Sequence, residues 1–276
     1  MKRTGLTALL SLAFAVSLPA QQVIYSNAPS TPLAPNYASL GFQATSTFEW
    51  GDHIQFQAGT SRTLADARVV MSNWARRSEY LSTSWDVPNG FTVPITFTIY
   101  AVGNGTAPGA VIATRTVDQL IAWRPEANCP TGGTGWLAAD NNCYNGFAQN
   151  ISFDFTGVVV PEEIVFGVAF NTQTWGYSPN GVAGPYNSLN VGAVTNVTTG
   201  TRMTPDDTYW ANKLGASSNN GVFLRDVGGW APNGPMVEFR AVTTVVPEPS
   251  TYALMIAGLC AIVVMARRRR ATVSIA

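Results

Sequence analysis

The chain of 276 residues is 46% apolar and only 12% charged, against about 25% in an ordinary globular protein, which excludes a disordered polyelectrolyte and a charged helical rod. Sixteen basic residues balance sixteen acidic ones, yet six of the bases sit at the ends, as Lys2, Arg3, Arg267, Arg268, Arg269 and Arg270. The stretch between them carries ten basic and sixteen acidic residues, a balance of −6, and lacks the Lys and Arg clusters that displace counterions from phosphates, so nucleic acid is not an expected partner.

Met1, Lys2 and Arg3 are followed by a mostly apolar run over 6–18 and then by Ala20, Gln21 and Gln22. A positive start, an apolar stretch and a small residue before polar sequence predict a secretory signal peptide over 1–20, read by signal peptidase. Cleavage after Ser17, which places Ala15 at −3, is the alternative to cleavage after Ala20.

From 21 to 245, clusters of Gly, Pro, Asn and Ser recur every ten or so residues between short β-branched and aromatic runs, the punctuation of an all-β protein. The segment 28–35, with Pro29, Pro32 and Pro35, reads as an extended lead-in. The clearest strand is 95–100, where Ile95, Phe97 and Ile99 share one face and Thr96 and Thr98 the other, predicting one buried side and one wet side. Further strands are expected at 67–71, 111–117, 151–155, 164–170, 191–197, 221–226 and 236–242. No comparable segment carries a 3.6-residue apolar stripe, so the expected fold is an antiparallel two-sheet β-sandwich, jelly-roll-like, in one domain.

Cys129 and Cys143 flank a Gly-rich and an Asn-rich loop. In an oxidising exported compartment they are expected to pair, and closing a loop of that length stabilises by about 3 kcal/mol in the chain-entropy view. Asp140-Asn141-Asn142-Cys143-Tyr144-Asn145-Gly146 has calcium-loop composition, but its Gly falls one place late for an EF-hand and no Glu follows. A structural Ca²⁺ is thus left without a ligand set, and no other cofactor or metal is expected.

His53 is the single histidine. Multi-histidine zinc sites and HExxH are therefore excluded, and no G-x-S-x-G elbow exists to accompany it. Carboxylate pairs for glycoside hydrolysis remain as Glu162 with Glu163, Asp206 with Asp207, and Glu49 with Asp52. The first two follow prolines and read as turn starts. No catalytic residue is assigned, and the chain is read as a non-enzyme. Among the eight Trp residues, the stretch Trp175-Gly176-Tyr177 with Tyr186 nearby is the densest aromatic and Gly/Asn segment. It nominates Trp175, Tyr177 and Tyr186 as a ligand platform for a sugar such as an exopolysaccharide.

The tail begins Val246, Pro247, Glu248, Pro249, Ser250, Thr251, continues as an uncharged run over 252–266, and ends in the four arginines and 271–276. The prolines keep the approach extended, and Ser250 or Thr251 can cap a helix. Fifteen helical residues at ~1.5 Å each reach roughly 22 Å, short of the ~30 Å hydrocarbon core, so spanning depends on snorkelling arginines and a thinned bilayer. The arginine cluster would stay cytoplasmic and the body on the far side.

This order of Pro-Glu-Pro, short apolar helix and arginine cluster resembles the PEP-CTERM sorting signal of Gram-negative bacterial proteins, over Val246 to Arg270. The resemblance implies that Pro247, Glu248 and Pro249 are read by an exosortase-like membrane protease, and that Arg267, Arg268, Arg269 and Arg270 set membrane orientation. It implies export across the inner membrane, a membrane-anchored precursor, and a mature protein at the cell surface or in the extracellular matrix. Retention of the tail as a permanent anchor is the alternative. The same segment has been labelled the C-terminus of ice-binding proteins, but a lipid-buried or excised helix cannot present a threonine array to ice.

Overall fold

The computed structural model describes residues 20–29, 32–130, 132–214, 218–243 and 255–265. The signal-peptide assignment over 1–19, the sorting residues Pro247, Glu248 and Pro249, and Arg267, Arg268, Arg269 and Arg270 lie outside the described residues.

The strands in chain order are β1 (Ala20–Ser26), β2 (Ser39–Gly41), β3 (Thr47–Gln55), β4 (Leu64–Asn73), β5 (Phe91–Tyr100), β6 (Val111–Ile121), β7 (Trp136–Leu137), β8 (Cys143–Tyr144), β9 (Phe147–Asp154), β10 (Glu163–Phe170), β11 (Leu189–Val194), β12 (Thr201–Arg202), β13 (Asp207–Asn212), β14 (Leu224–Val227), β15 (Gly234–Pro235) and β16 (Val237–Thr243). One sheet runs β1-β16-β4-β11-β15, with β9 on the other edge of β4 and β2 on β11. The second runs β14-β13-β3-β10-β5-β6, with β12 added to β3, and β7 and β8 form a separate ribbon. The pairings are antiparallel, as in the registers of β4 with β9, β5 with β6 and β3 with β10.

Residues 21–242 form one compact unit, and the two chain ends are assigned to another. Within the first, aromatic side chains of the two sheets meet. The ring of Phe97 on β5 lies 5.2 Å from Phe153 on β9 and 5.6 Å from Phe239 on β16, and it stacks at 5.6 Å on Phe166 of its own sheet. All four are fully buried. Rings of 150–250 Å² each make such a contact the main apolar content of a β core, so the two sheets face one another across a shared interior.

The predicted segments 67–71, 95–100, 111–117 and 164–170 lie within β4, β5, β6 and β10, and 151–155 and 236–242 each run one residue beyond β9 and β16. Ile95, Phe97 and Ile99 are sealed in the core. The wet face expected for β5 needs correction: Thr96 and Thr98 are also buried. They pair with Thr116 and Thr114 of β6 (2.9 and 3.4 Å), and Thr96 floors a cleft bounded by Asn171, Tyr177 and Ser178. Alternation reports only which residues share a face, and a loop folded over the polar face removes it from water. β11 stops at Val194 and β14 starts at Leu224, both shorter than expected. β3 and β13 went unassigned because their polar residues Glu49, Asp52, His53 and Asp207 masked the alternation.

Residues 255–265 are helical, inside the apolar run expected over 252–266. Among the described residues no helix is long and apolar enough to cross a membrane.

Candidate functional site

The nominated aromatic loop follows β10. Thr172 Oγ1 donates to the Trp175 carbonyl, the Thr172 amide reaches the same oxygen at 2.9 Å, and the Gly181 amide donates to the Gln173 carbonyl at 2.8 Å. Gly176 adopts φ +97°, and a Cβ there would stand 2.0 Å from the Phe170 carbonyl oxygen, so only glycine closes the turn. The loop is thus rigidly tied, but it does not assemble its three rings. Trp175 packs edge-on against Phe48 at 6.1 Å. Tyr186 is buried; its hydroxyl donates to the Val182 carbonyl, and its ring meets Trp85 edge-on at 5.4 Å. Tyr177 is presented to solvent, 63% exposed. It lines the cleft with Pro94, Thr96 and Thr116. The three nominated rings do not form one face: Tyr177 is exposed, Trp175 is half-buried beside Phe48, and Tyr186 is buried beside Trp85.

Glu49 and Asp52 are separated by strand parity, since residues an odd number apart on a strand point to opposite faces. Trp50, Asp52 and Ile54 of β3 face the interior, while Glu49, Gly51 and His53 lie on the other side. Asp52 forms a sealed ion pair with Arg202 of β12, Nε to Oδ2 2.5 Å. Burial pushes the Asp52 carboxyl up, against the opposing pull of Arg202. On the outer face Glu49 accepts from the Tyr100 hydroxyl at 2.9 Å. It occupies space left by Gly167, where a Cβ would stand 1.9 Å from Glu49 Oε1. Burial raises Glu49 from 4.5 to about 7, with the Tyr100 bond acting the other way; burial and then Glu49 push the Tyr100 phenol up. Neither Tyr100 nor the facing Gly51–Gly167 pair was nominated from sequence. Two glycines opposite one another on neighbouring strands were the available signal, and it needs the register to be read.

Glu163 Oε2 lies 3.1 Å from His53 Nε2, and Glu162 Oε1 accepts from Gln55 Nε2 at 3.3 Å. His53 lies in β3, paired with Val165. Asp207 opens β13 after a turn closed by its own amide to the Thr204 carbonyl, and its carboxylate accepts from Arg225 Nε at 2.6 Å. These acids are engaged in structural contacts.

Cys129 and Cys143 form a disulfide with Cα atoms 6.0 Å apart. In the Asn-rich loop, Asp140 Oδ1 accepts from the Asn142 amide and Oδ2 from the Tyr144 hydroxyl at 2.6 Å, so this carboxylate is committed to holding the turn. Among the described residues no group of three or more His, Cys, Asp or Glu side chains is gathered to hold a metal ion.

Comparison with protein families matches residues 245–270 to the PEP-CTERM protein-sorting motif. Comparison with curated proteins gave no match, and comparison with solved structures gave none.

Proposed function

We propose, for a chain that carries the PEP-CTERM protein-sorting motif at residues 245–270, that it is an exported protein processed by an exosortase-like protease and delivered to the cell surface or extracellular matrix of a Gram-negative bacterium. Its two-sheet, jelly-roll-like body then acts there by binding or as a structural component, without catalysis. The observation that carries this is the position of the motif, which begins two residues after β16 ends at Thr243. In sequence the body is followed at once by Pro247, Glu248 and Pro249, residue types that disfavour helix and suit a protease cleft, and then by an apolar run that holds the precursor in the membrane as a short, arginine-anchored span. Signal peptidase at the N-terminus and the exosortase at the C-terminus are the two processing partners. The non-catalytic reading is supported by the engagement of the nominated acids: Glu49 and Asp52 point to opposite faces of β3, and Asp52, Glu49, Asp207 and Glu163 are held by Arg202, Tyr100, Arg225 and His53.

Mass spectrometry of the protein from cells that possess the protease tests this reading. The mature C-terminus is expected upstream of Arg267, and a mature form retaining Arg267 to Arg270 contradicts processing.

A second reading, carbohydrate binding to exopolysaccharide, is favoured by the rigid loop that exposes Tyr177 over a hydroxyl-floored cleft. The Asn171 side-chain oxygen beside it is buried without a partner. An aromatic face with a few oriented polar groups is the common composition of a sugar site. Where the loop cleft is the site of retention on a glycan array, Tyr177→Ala weakens it about tenfold, the loss of one stacking contact. Unchanged retention removes this residue from the reading.

A further inference from the structure

A larger groove lies elsewhere on the body, with a volume of about 350 Å³, within the roughly 300–1,000 Å³ range of small-molecule sites. Three separate segments converge on it. Asn36, Tyr37 and Ser39 come from the segment between the lead-in and β2 and from the start of β2, Trp74 follows β4, and Tyr144 and Asn145 come from the end of the β7–β8 ribbon. Cys143 also lines it, so the disulfide to Cys129 fixes one wall.

The groove is organised before any ligand arrives. Trp74 is 44% exposed, yet its indole N–H points inward and donates to Ser72 Oγ at 3.1 Å, and Ser72 in turn donates to Asn36 Oδ1 at 2.6 Å. Its backbone is held as well, the amide by the Ser188 carbonyl and the carbonyl by Arg124 Nε, both at 3.0 Å. The buried Arg124 also donates to the Thr134 carbonyl at 2.7 Å, tying the Trp74 wall to the ribbon wall. Gly146 makes the junction possible. A Cβ there would stand 2.4 Å from Ser72 Oγ, 2.5 Å from Asn36 Oδ1 and 2.7 Å from Trp74 Nε1.

Two chemical features define what fits. The amide oxygens of Asn36 and Asn145 are engaged, by Ser72 and by Thr134 Oγ1, whereas among the described residues neither amide nitrogen meets a protein acceptor. The groove thus offers two N–H₂ donors beside an indole held by its N–H. None of the residues lining it carries a charge; the nearby Asp140 carboxylate is already bound by the Tyr144 hydroxyl. An ionic ligand would find no counter-charge and would pay desolvation without compensation. A molecule with an apolar C–H face and acceptor hydroxyls on its rim matches both features.

We propose that this groove binds an uncharged saccharide, with a pyranose ring on the Trp74 indole and its hydroxyls accepting from the Asn36 and Asn145 amides. The proposal shares its ligand class with the second reading above, but none of its residues.

The test is titration of the purified full chain with cellohexaose, maltohexaose, laminarihexaose and chitohexaose, and with an alginate hexasaccharide as the acidic counterpart, followed by tryptophan fluorescence and calorimetry at low and high salt. At least one neutral oligosaccharide is expected to bind with an affinity that salt does not change. Trp74→Ala should weaken binding about tenfold or more and Asn145→Ala several-fold, the latter serving if circular dichroism finds the former misfolded, while Tyr177→Ala leaves binding unchanged. The proposal is overturned if alginate is preferred and salt abolishes its binding, or if Trp74→Ala and Asn145→Ala both bind like the parent. Binding lost with Tyr177→Ala but kept with Trp74→Ala moves the site to the loop cleft and leaves the carbohydrate reading standing. No binding of any neutral oligosaccharide removes both.

Discussion

Replacing Arg202 by Met is expected to destabilise the body by about 3–5 kcal/mol, read as a fall in the urea midpoint. Arg202 sits opposite Ile54 in the β12–β3 register and therefore points to the interior, where it meets Asp52. The side chains are 4% and 1% exposed. The guanidinium also bonds backbone: Nη2 donates to the carbonyls of Asp207 at 2.9 Å and Asn233 at 3.2 Å, and Nη1 to that of Pro232. One cation thus ties β3, the start of β13 and the turn before β15 together. Gly234 allows the approach, since a Cβ there would stand 2.5 Å from Asp52 Oδ2.

Removing the cation leaves a carboxylate and several carbonyls in the interior without a partner, and that loss, rather than the attraction itself, sets the size of the effect. The double variant Asp52→Leu with Arg202→Met is accordingly expected to be more stable than Arg202→Met alone, with the coupling read from a double-mutant cycle. A cost below about 1 kcal/mol for the single variant would mean that water reaches the pair and that it behaves as a surface salt bridge.

The second large effect is on pH dependence. Glu49 titrates near 7 in the folded protein and near 4.5 when its burial is lost. Between those values the folded state holds a proton that the unfolded chain has released, so stability must fall as pH rises. The contribution is fully present below about pH 4.5 and is lost as pH rises through 7. Up to about 1.4 kcal/mol per pH unit over this window amounts to 1–3 kcal/mol in all for a half-buried group. Glu49→Gln keeps an acceptor for the Tyr100 hydroxyl and removes the titration. Its stability is expected to be flatter between pH 4.5 and 7 and to exceed that of the parent at pH 8. Parallel pH curves for the two proteins would show that Glu49 does not titrate in this range.

Both effects depend on residues whose roles were invisible before the sheet registers were known. Glu49 and Asp52 were grouped from sequence as neighbours of like chemistry. Three residues along a strand reverse the face, so one became an interior ion-pair partner and the other an outer-face acid covered by Tyr100. The same parity rule that identifies Ile95, Phe97 and Ile99 as one buried face also separates this pair.

The groove gives a related lesson. Trp74, Asn36 and Asn145 are far apart in the chain, and no motif of the sequence links them. What joins them is the register of β4 with β11 and β9, the Arg124 tie, and the absence of a side chain at Gly146. Sequence density pointed instead to Trp175, Tyr177 and Tyr186, which are close along the chain but are dispersed by their loop into two packing rings and one exposed ring.

By itself, the sequence determined what depends on local order: an all-β chain with punctuated alternation, two cysteines in reach of one another, and a sorting motif whose proline segment, apolar run and arginines must be consecutive to be read at all. The tertiary structure alone decided which polar residues are buried, which aromatic ring faces water, and where a ligand can sit. Those properties are set by contacts between segments distant in the chain, and in an antiparallel sheet such contacts are fixed by strand register, which a period of two leaves undetermined.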